Sequence, residues 1–415
     1  MAVETSEASP WRARSGTLLH RPFPALLLVS GAVLLAMSPW FTAAAAGALL
    51  QERYDLGTGQ LAWLTGAVQI GFVAGTLAAA VLNLADILPA GRYFGVSALL
   101  AAASNALLLV APGWVTLLLF RFLTGFFLAG VYPPAMKMAA TWFRSRRGMA
   151  IGTVVGALTV GKAIPFLLRA AGEAPAIPVI PGASFAAVLG GGLILAAYRD
   201  GPHPFPRRPF RWGLVVEVVR DRKTRLATYG YLGHMWELYA MWGTVSLFLA
   251  AHLSGQRPDP GSAAAGWAFW IIAAGGVGAV VAGVVADRWG RERVAGGAMF
   301  LSGGLALGVG WLVQAPSWVV LPLLLLWGVA VVADSAQFSA LVTEVAPPHA
   351  AGTALTLQTS VGFLLTIVTL TTVPLVAEAF GWGVAFALLA PGPALGILAM
   401  VRLERLRGDP SRGRV

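Results

Sequence analysis

Few residues in this chain could do chemistry, and most of them stand in sequence that is otherwise almost wholly apolar. Arg121 and Lys162 are cations inside hydrophobic runs, and Lys162 is one of only three lysines. His234 and Glu237 lie three residues apart, on one face of a helix, in a stretch that also carries Tyr231, Trp236, Tyr239 and Trp242. Asp334 interrupts a further run with Ser335, Gln337 and Ser339, while Ser38, Pro39, Trp40 and Thr42 interrupt the first. A charge inside a hydrophobic helix costs about 2.5–3.5 kcal/mol or more unless it faces a cavity or a partner. Each is therefore a candidate for handling a charged species. Arg121 and Lys162 could draw in an anion, with Trp40, Tyr231, His234 and Trp236 completing the binding site. Glu237 with His234 suits proton transfer, because an imidazole exchanges protons near neutrality, and Asp334 offers a second carboxylate. Other pairings are open: a carboxylate or carbonyl on Arg121 or Lys162, a Glu237–Arg121 bridge, or a structural bond at Asp334. Lys137 lies near the end of its run, where its stem can carry the charge out to water.

The elements that must position these residues are membrane-spanning helices. A 415-residue chain that is 57% hydrophobic, 11% charged and of mean hydropathy +0.74 has more apolar surface than one soluble core can bury. Twelve nearly uncharged runs are each of the length, about 20 residues, that crosses a bilayer as a helix. They are about 24–50, 58–84, 93–111, 114–140, 148–171, 182–198, 226–253, 263–285, 294–314, 317–342, 351–377 and 382–401. Alternate loops and tails hold 23 Lys and Arg on one side against Arg53, Arg169 and Arg257 on the other. The positive-inside rule then puts both termini and the central loop in the cytoplasm, in a multi-pass protein of the plasma (cell inner) membrane. The net charge of +11 is thus a topology signal with affinity for anionic lipid heads, and no nucleic-acid partner is expected. On this topology Arg121 and Lys162 both lie about 10 Å below the outer surface, Glu237 stands about 16 Å up from Leu226, and Asp334 lies toward the cytoplasm.

The densest charged stretch is the turn Gly283-Val-Val-Ala-Asp287-Arg288-Trp-Gly290-Arg291-Glu-Arg293. A degraded copy, Asn83-Leu-Ala-Asp86-Ile-Leu-Pro-Ala-Gly91-Arg92, lies about 200 residues earlier, and Arg147-Gly148-Met-Ala corresponds to Ala351-Gly352-Thr-Ala at a similar offset. The chain therefore reads as a duplication. The turn resembles the signature joining the second and third helices of each half in the major facilitator superfamily, and Arg121-Phe-Leu-Thr-Gly125 resembles the fourth-helix Arg-x-x-x-Gly of many members. The resemblance implies an all-α integral membrane fold of twelve transmembrane helices in two pseudo-symmetric six-helix bundles, with substrate bound between them near the midplane. The expected units are a tail (1–23), a bundle (24–198), a cytoplasmic loop (199–225) with a short amphipathic helix in 212–225, a second bundle (226–401) and a basic tail (402–415). The resemblance also implies gating at Asp86, Arg92, Gly283, Asp287, Arg288, Gly290 and Arg291, with Glu344 as the partner of Arg288 or Arg291.

The function so implied is secondary active transport by alternating access, without catalysis, in a monomer. The membrane cations bring the chain nearest to the porters of small anions such as nitrate, nitrite, cyanate or oxalate, in proton-coupled or exchange transport. The alternative is proton-driven export of hydrophobic or cationic compounds bound by Glu237 and Asp334 among Trp236, Trp242 and Trp267. The arginines that nitrate porters carry in helices two and eight are missing here, as is the oxalate exchangers' lysine in helix eleven. Drug exporters' fifth-helix Gly-Pro-x-x-Gly-Gly is replaced by Val160-Gly-Lys-Ala-Ile-Pro165. With no cysteine and five scattered histidines, neither a metal site nor a cofactor nor an enzyme nucleophile is expected. Gly156–Ala163 imitates a P-loop, but Ala163 stands where Ser or Thr would hold magnesium and no strand precedes it.

Overall fold

The computed structural model describes residues 21–143, 147–171, 179–203, 211–254, 256–257 and 259–408, and among these every regular element is helical. The first traversal is broken into α1 (Pro22–Ala36), α2 (Thr42–Ala45) and α3 (Gly47–Tyr54). The break follows from Pro39, which has no N–H to donate to the helix ladder. The Ser38 hydroxyl secures it by donating to the Ala183 carbonyl (2.7 Å). The rest of this half comprises α4 (Thr58–Val81), α5 (Leu84–Ile87), α6 (Ala90–Ala106), α7 (Trp114–Leu128), α8 (Tyr132–Ala140), α9 (Arg147–Ala170) and α10 (Val179–Ala197). The α7–α8 break precedes Pro133 and Pro134, again where the backbone cannot donate.

A single turn at Trp212–Leu214 leads into α11 (Val215–Arg220); Trp212 of the turn and Val216 and Val219 of the helix are exposed. The surface helix is shorter than the span 212–225 suggests, because the Asp221 carboxylate caps a new helix by accepting from the Thr224 N–H (2.7 Å). The second half contains α12 (Arg222–Leu253), α13 (Pro260–Trp289), α14 (Arg291–Val309), α15 (Ser317–Ala333), α16 (Ser335–Val345), α17 (Ala351–Phe380), α18 (Trp382–Ala387) and α19 (Pro391–Gly408). The final helix runs through the first half of the stretch expected as a tail, to Gly408, its polar end held by ion pairs from Glu404 and Arg407.

Ten of the expected traversals are long and apolar enough to cross a membrane among the described residues. The other two are the first and the seventh. The α1–α3 segment is broken at Pro39, and α12, at 32 residues the longest helix, carries the His234–Glu237 stretch.

The halves meet mainly along α9 with α13 and α4 with α17. Gly156 and Gly276 make the first approach possible: a Cβ on either would come within 3.0 or 3.1 Å of the other's carbonyl oxygen. In lipid, where burial of apolar surface gives no net drive between helices, such close backbone contact is what holds them together. At the end away from the α11 linker, Ser262 of α13 donates to the Ala170 carbonyl (3.1 Å).

Candidate functional site

Two buried polar clusters occupy the middle of the bundle, one at the junction of the halves and one inside the second half. At the junction, Lys162 projects from α9 and is 1% exposed. Its Nζ donates to the Tyr239 hydroxyl of α12 and lies 3.8 Å from the ring centroid of Trp40 in the α1–α2 break. The rings of Tyr239 (4.5 Å), Trp242 (5.6 Å) and Phe363 of α17 (5.9 Å) close the cage. Phe41, Phe72 and Phe166 back it through further ring contacts. Among the described residues no carboxylate pairs with Lys162, and the indole N–H groups of Trp40 and Trp242 are buried without an acceptor.

Arg121, on α7, is completely buried beside this cage but belongs to its frame. Its Nη1 donates to the Pro39 carbonyl (2.9 Å) and to Asn105 Oδ1 (3.0 Å), its Nη2 to the Trp40 carbonyl, and its Nε to the Leu64 carbonyl (3.4 Å). Asn105 in turn donates to Ser184 Oγ (3.0 Å). The guanidinium thus ties the first-helix break to α4, α6 and α10, and the same break presents the Trp40 ring to Lys162. Gly125 serves the same frame, since a Cβ there would overlap the Val68 backbone of α4. The sequence expectation that Arg121 shares an anion site with Lys162 meets this geometry: its donors end on protein oxygens, and Trp40 stands between the two cations. Nor does Arg121 bridge to Glu237.

In the second half, His234 Nδ1 lies 2.8 Å from Asp334 Oδ1, and His234 Nε2 lies 3.0 Å from Ser335 Oγ. Asp334 occupies the break between α15 and α16, so this contact joins α12 to the broken tenth traversal. Glu237 does not pair with His234, although the two share a helix face. Its Oε1 accepts from Trp327 Nε1 of α15 (2.6 Å) and its Oε2 from Ser302 Oγ of α14 (2.8 Å). Trp236 turns away from the junction and donates to the Leu388 carbonyl (3.0 Å) at the α18–α19 break. Tyr231 meets His234 in a tilted ring contact and Phe338 edge-on, beside Gly362 of α17. Of the six residues expected to bind substrate, the structure places Trp40 and Lys162 in the cage, with Arg121 holding the Trp40 carbonyl behind it, and Tyr231 with His234 elsewhere. His234 and Trp236 face into the second half because α12 divides its circumference: Tyr239 and Trp242 look toward the first half, and His234, Glu237 and Trp236 toward their own.

At the linker end, Gly290 (φ +89°) makes the α13–α14 turn, in a backbone region that side chains disfavour. Arg291 Nε donates to Glu344 Oε1 (2.7 Å) and its Nη1 to Gln337 Oε1 (3.0 Å), and Asp287 lies 3.7 Å away. Arg407 joins this group through Glu344 (3.2 Å) and Glu292 (2.6 Å). All of these residues lie in the second half, where they fasten α14 to α16 and α19. Gly283 is buried on α13, whereas Arg288 and Arg92 are exposed. The side chain of Asp86 lies outside the described residues.

Sequence reading named Trp242 only in the exporter alternative, and missed Tyr239, Phe363 and Asn105 as site members and Trp327 and Ser302 as the partners of Glu237. Tyr239 and Trp242 belong to a stretch that stood out as polar and aromatic, but Phe363 carries no signal that separates it from other apolar helix residues.

Twelve traversals in two halves, with a charged cage at their junction and polar breaks in the helices, define a polytopic membrane transporter. The chain belongs to the Major Facilitator Superfamily, whose sequence profile matches residues 28–370 and again 227–414. Among solved structures it is similar to a bacterial homologue of the human lysosomal transporter Spinster. The inward-facing, unoccupied form of that protein gives a TM-score of 0.67 at 14% identity, covering 94% of this chain and 96% of that one. The inward-facing, occupied form gives 0.64 at 15% identity over the same shares. No curated protein matches the chain.

Proposed function

We propose that this transporter moves a small anion by secondary active transport, with the anion held at Lys162 and protons carried by the second half. The observation that carries the reading is the donor balance of the cage. Lys162, the Tyr239 hydroxyl and the two unpaired indole N–H groups converge there, with no carboxylate among the described residues. A buried donor without an acceptor costs about 1–3 kcal/mol, so a ligand bearing acceptor oxygens relieves several such costs at once. Tyr239 accepts from Lys162, which leaves its own proton for a ligand. Export of a cation is less well supported. A second cation at the junction would meet the lysine, and Glu237 already receives donors from Trp327 and Ser302 while Asp334 faces the His234 ring at 2.8 Å.

Lys162–Tyr239 also links the two halves, as do the ring contacts of Trp40 with Tyr239 and Phe363. An anion that replaces Tyr239 as the partner of Lys162 loosens this link, which gives alternating access its coupling to cargo. Proton transfer is assigned to His234–Asp334 and to Glu237, buried groups that can gain or lose a proton, Glu237 held by the Trp327 indole N–H and the Ser302 hydroxyl and His234 by Ser335 beside Asp334. The linker end, rich in Arg and Lys, is proposed as cytoplasmic, with both termini there, in a plasma-membrane monomer.

The test is counterflow of small anions in proteoliposomes. Lys162→Ala should abolish exchange, by about 100-fold or more for a lost buried ion contact, while the protein melts at or above the wild-type temperature. Normal exchange by this variant sinks the assignment.

A further inference from the structure

We infer that the cargo is a monovalent carboxylate with a flat, apolar body, of which a benzoate-like aromatic acid is the simplest form; the inference rests on the anion reading above and narrows it. Two independent features of the junction carry it, the number of cations free to meet a ligand and the nature of the walls.

The first is charge. Two cations are fully buried near the junction, but only one has its charge available. The donors of Arg121 end on the carbonyls of Pro39, Trp40 and Leu64 and on Asn105 Oδ1. Lys162 has a phenol and four ring faces. A dianion brought into this low-dielectric space would leave one charge without a counter-ion, a heavy penalty. A monoanion is matched. Its two carboxylate oxygens also suit the donor set, which spreads over the ammonium, the Tyr239 hydroxyl and two indole N–H groups at different positions around the cage.

The second is the wall. Trp40, Phe41, Phe72, Tyr239, Trp242 and Phe363 form one connected set of rings, with centroids 4.5 to 6.2 Å apart. These rings come from both halves, so a ligand that enters between the halves must part them. A planar apolar body replaces the ring contacts it breaks with equivalent stacked or edge contacts. A compact inorganic anion leaves the rings parted and unfilled, and must give up its entire hydration shell to four donors. The ring faces are no counter-argument in favour of a cation: the nearest of them, Trp40, is already occupied by the lysine ammonium at 3.8 Å.

The experiment uses the full-length protein in detergent for thermal unfolding and in proteoliposomes for counterflow, with benzoate, acetate, nitrate, oxalate and tetraphenylphosphonium as probes. Benzoate should raise the melting temperature and exchange, with acetate at least tenfold weaker and oxalate without effect. Trp242→Phe keeps the ring and removes one donor; it should weaken benzoate about tenfold while keeping the preference over acetate. Phe363→Leu should reduce that preference itself. Lys162→Gln should lose the benzoate-induced shift with the ligand-free melting temperature maintained, which separates lost binding from lost folding. Exchange of nitrate or oxalate in preference to benzoate overturns this inference and leaves the anion reading standing. Stabilisation by tetraphenylphosphonium and by none of the anions overturns both.

Discussion

Replacing Arg121 by Met separates the two roles this residue could play, because the structure makes it a strut and an anion site would make it a ligand. The methionine keeps much of the stem volume and removes every donor. Four acceptors lose a partner: the carbonyls of Pro39, Trp40 and Leu64, and Asn105 Oδ1. Leu64 lies inside α4 and keeps its helical bond, and the Pro39 carbonyl retains a long contact from the Thr42 N–H (3.4 Å). The Trp40 carbonyl and Asn105 Oδ1 bear the full loss. At about 1–3 kcal/mol for each buried acceptor stranded, the gross cost is about 2–6 kcal/mol. Part is returned because a guanidinium without a carboxylate partner is no longer buried. The net loss should be about 3 kcal/mol, a fall of about 3–4 °C in melting temperature for a protein of 415 residues. Arg121→Lys should behave similarly, since a compact ammonium cannot span the acceptors that a planar fork reaches. Tryptophan-fluorescence melting of the purified, ligand-free protein measures the effect. If Arg121→Met melts within about 1 °C of wild type yet loses anion-induced stabilisation, Arg121 is a ligand and the strut reasoning is refuted.

Asp334→Asn and His234→Asn should retain anion counterflow but lose accumulation driven by an imposed pH gradient, as followed by a pH-sensitive dye; intact proton-driven accumulation in both would remove them from the coupling path. Gly276→Leu sets a side chain against the Gly156 carbonyl, where even a Cβ comes to 3.1 Å, and should cost about 1–3 kcal/mol by overpacking with exchange strongly slowed; unchanged melting and exchange would mean that the α9–α13 approach is not tight. Arg291→Ala breaks a contact to Glu344, 37% exposed, that is worth no more than about 1 kcal/mol, less in high salt; it also strands the buried Gln337 Oε1, so it should cost about 1–3 kcal/mol in all, most of it insensitive to salt. A loss of several kcal/mol there would show that the network is far drier than its exposure indicates.

Sequence alone determined the solvent, the class of fold and the short list of costly charges. Apolar runs of bilayer length can do little else than span a membrane, and a charged turn repeated about 200 residues apart marks two halves whatever their details. It also flagged Arg121, Lys162, His234, Glu237 and Asp334, because charge in lipid is expensive wherever it lies. Only the tertiary structure decided the partners. His234 and Glu237 share a helix face at three residues' spacing, yet each is claimed by a different neighbour, Asp334 at the α15–α16 break and Trp327 with Ser302. Arg121 and Lys162 lie at similar depth, but depth along two helices fixes neither rotation nor what stands between them, and here it is Trp40. Phe363, 201 residues from Lys162 in the chain, reaches the cage only because α17 packs on α4. A periodicity argument gives the face and height of a side chain. What it meets there depends on how the other helices are rotated and broken, and that is set by the packing of the whole bundle.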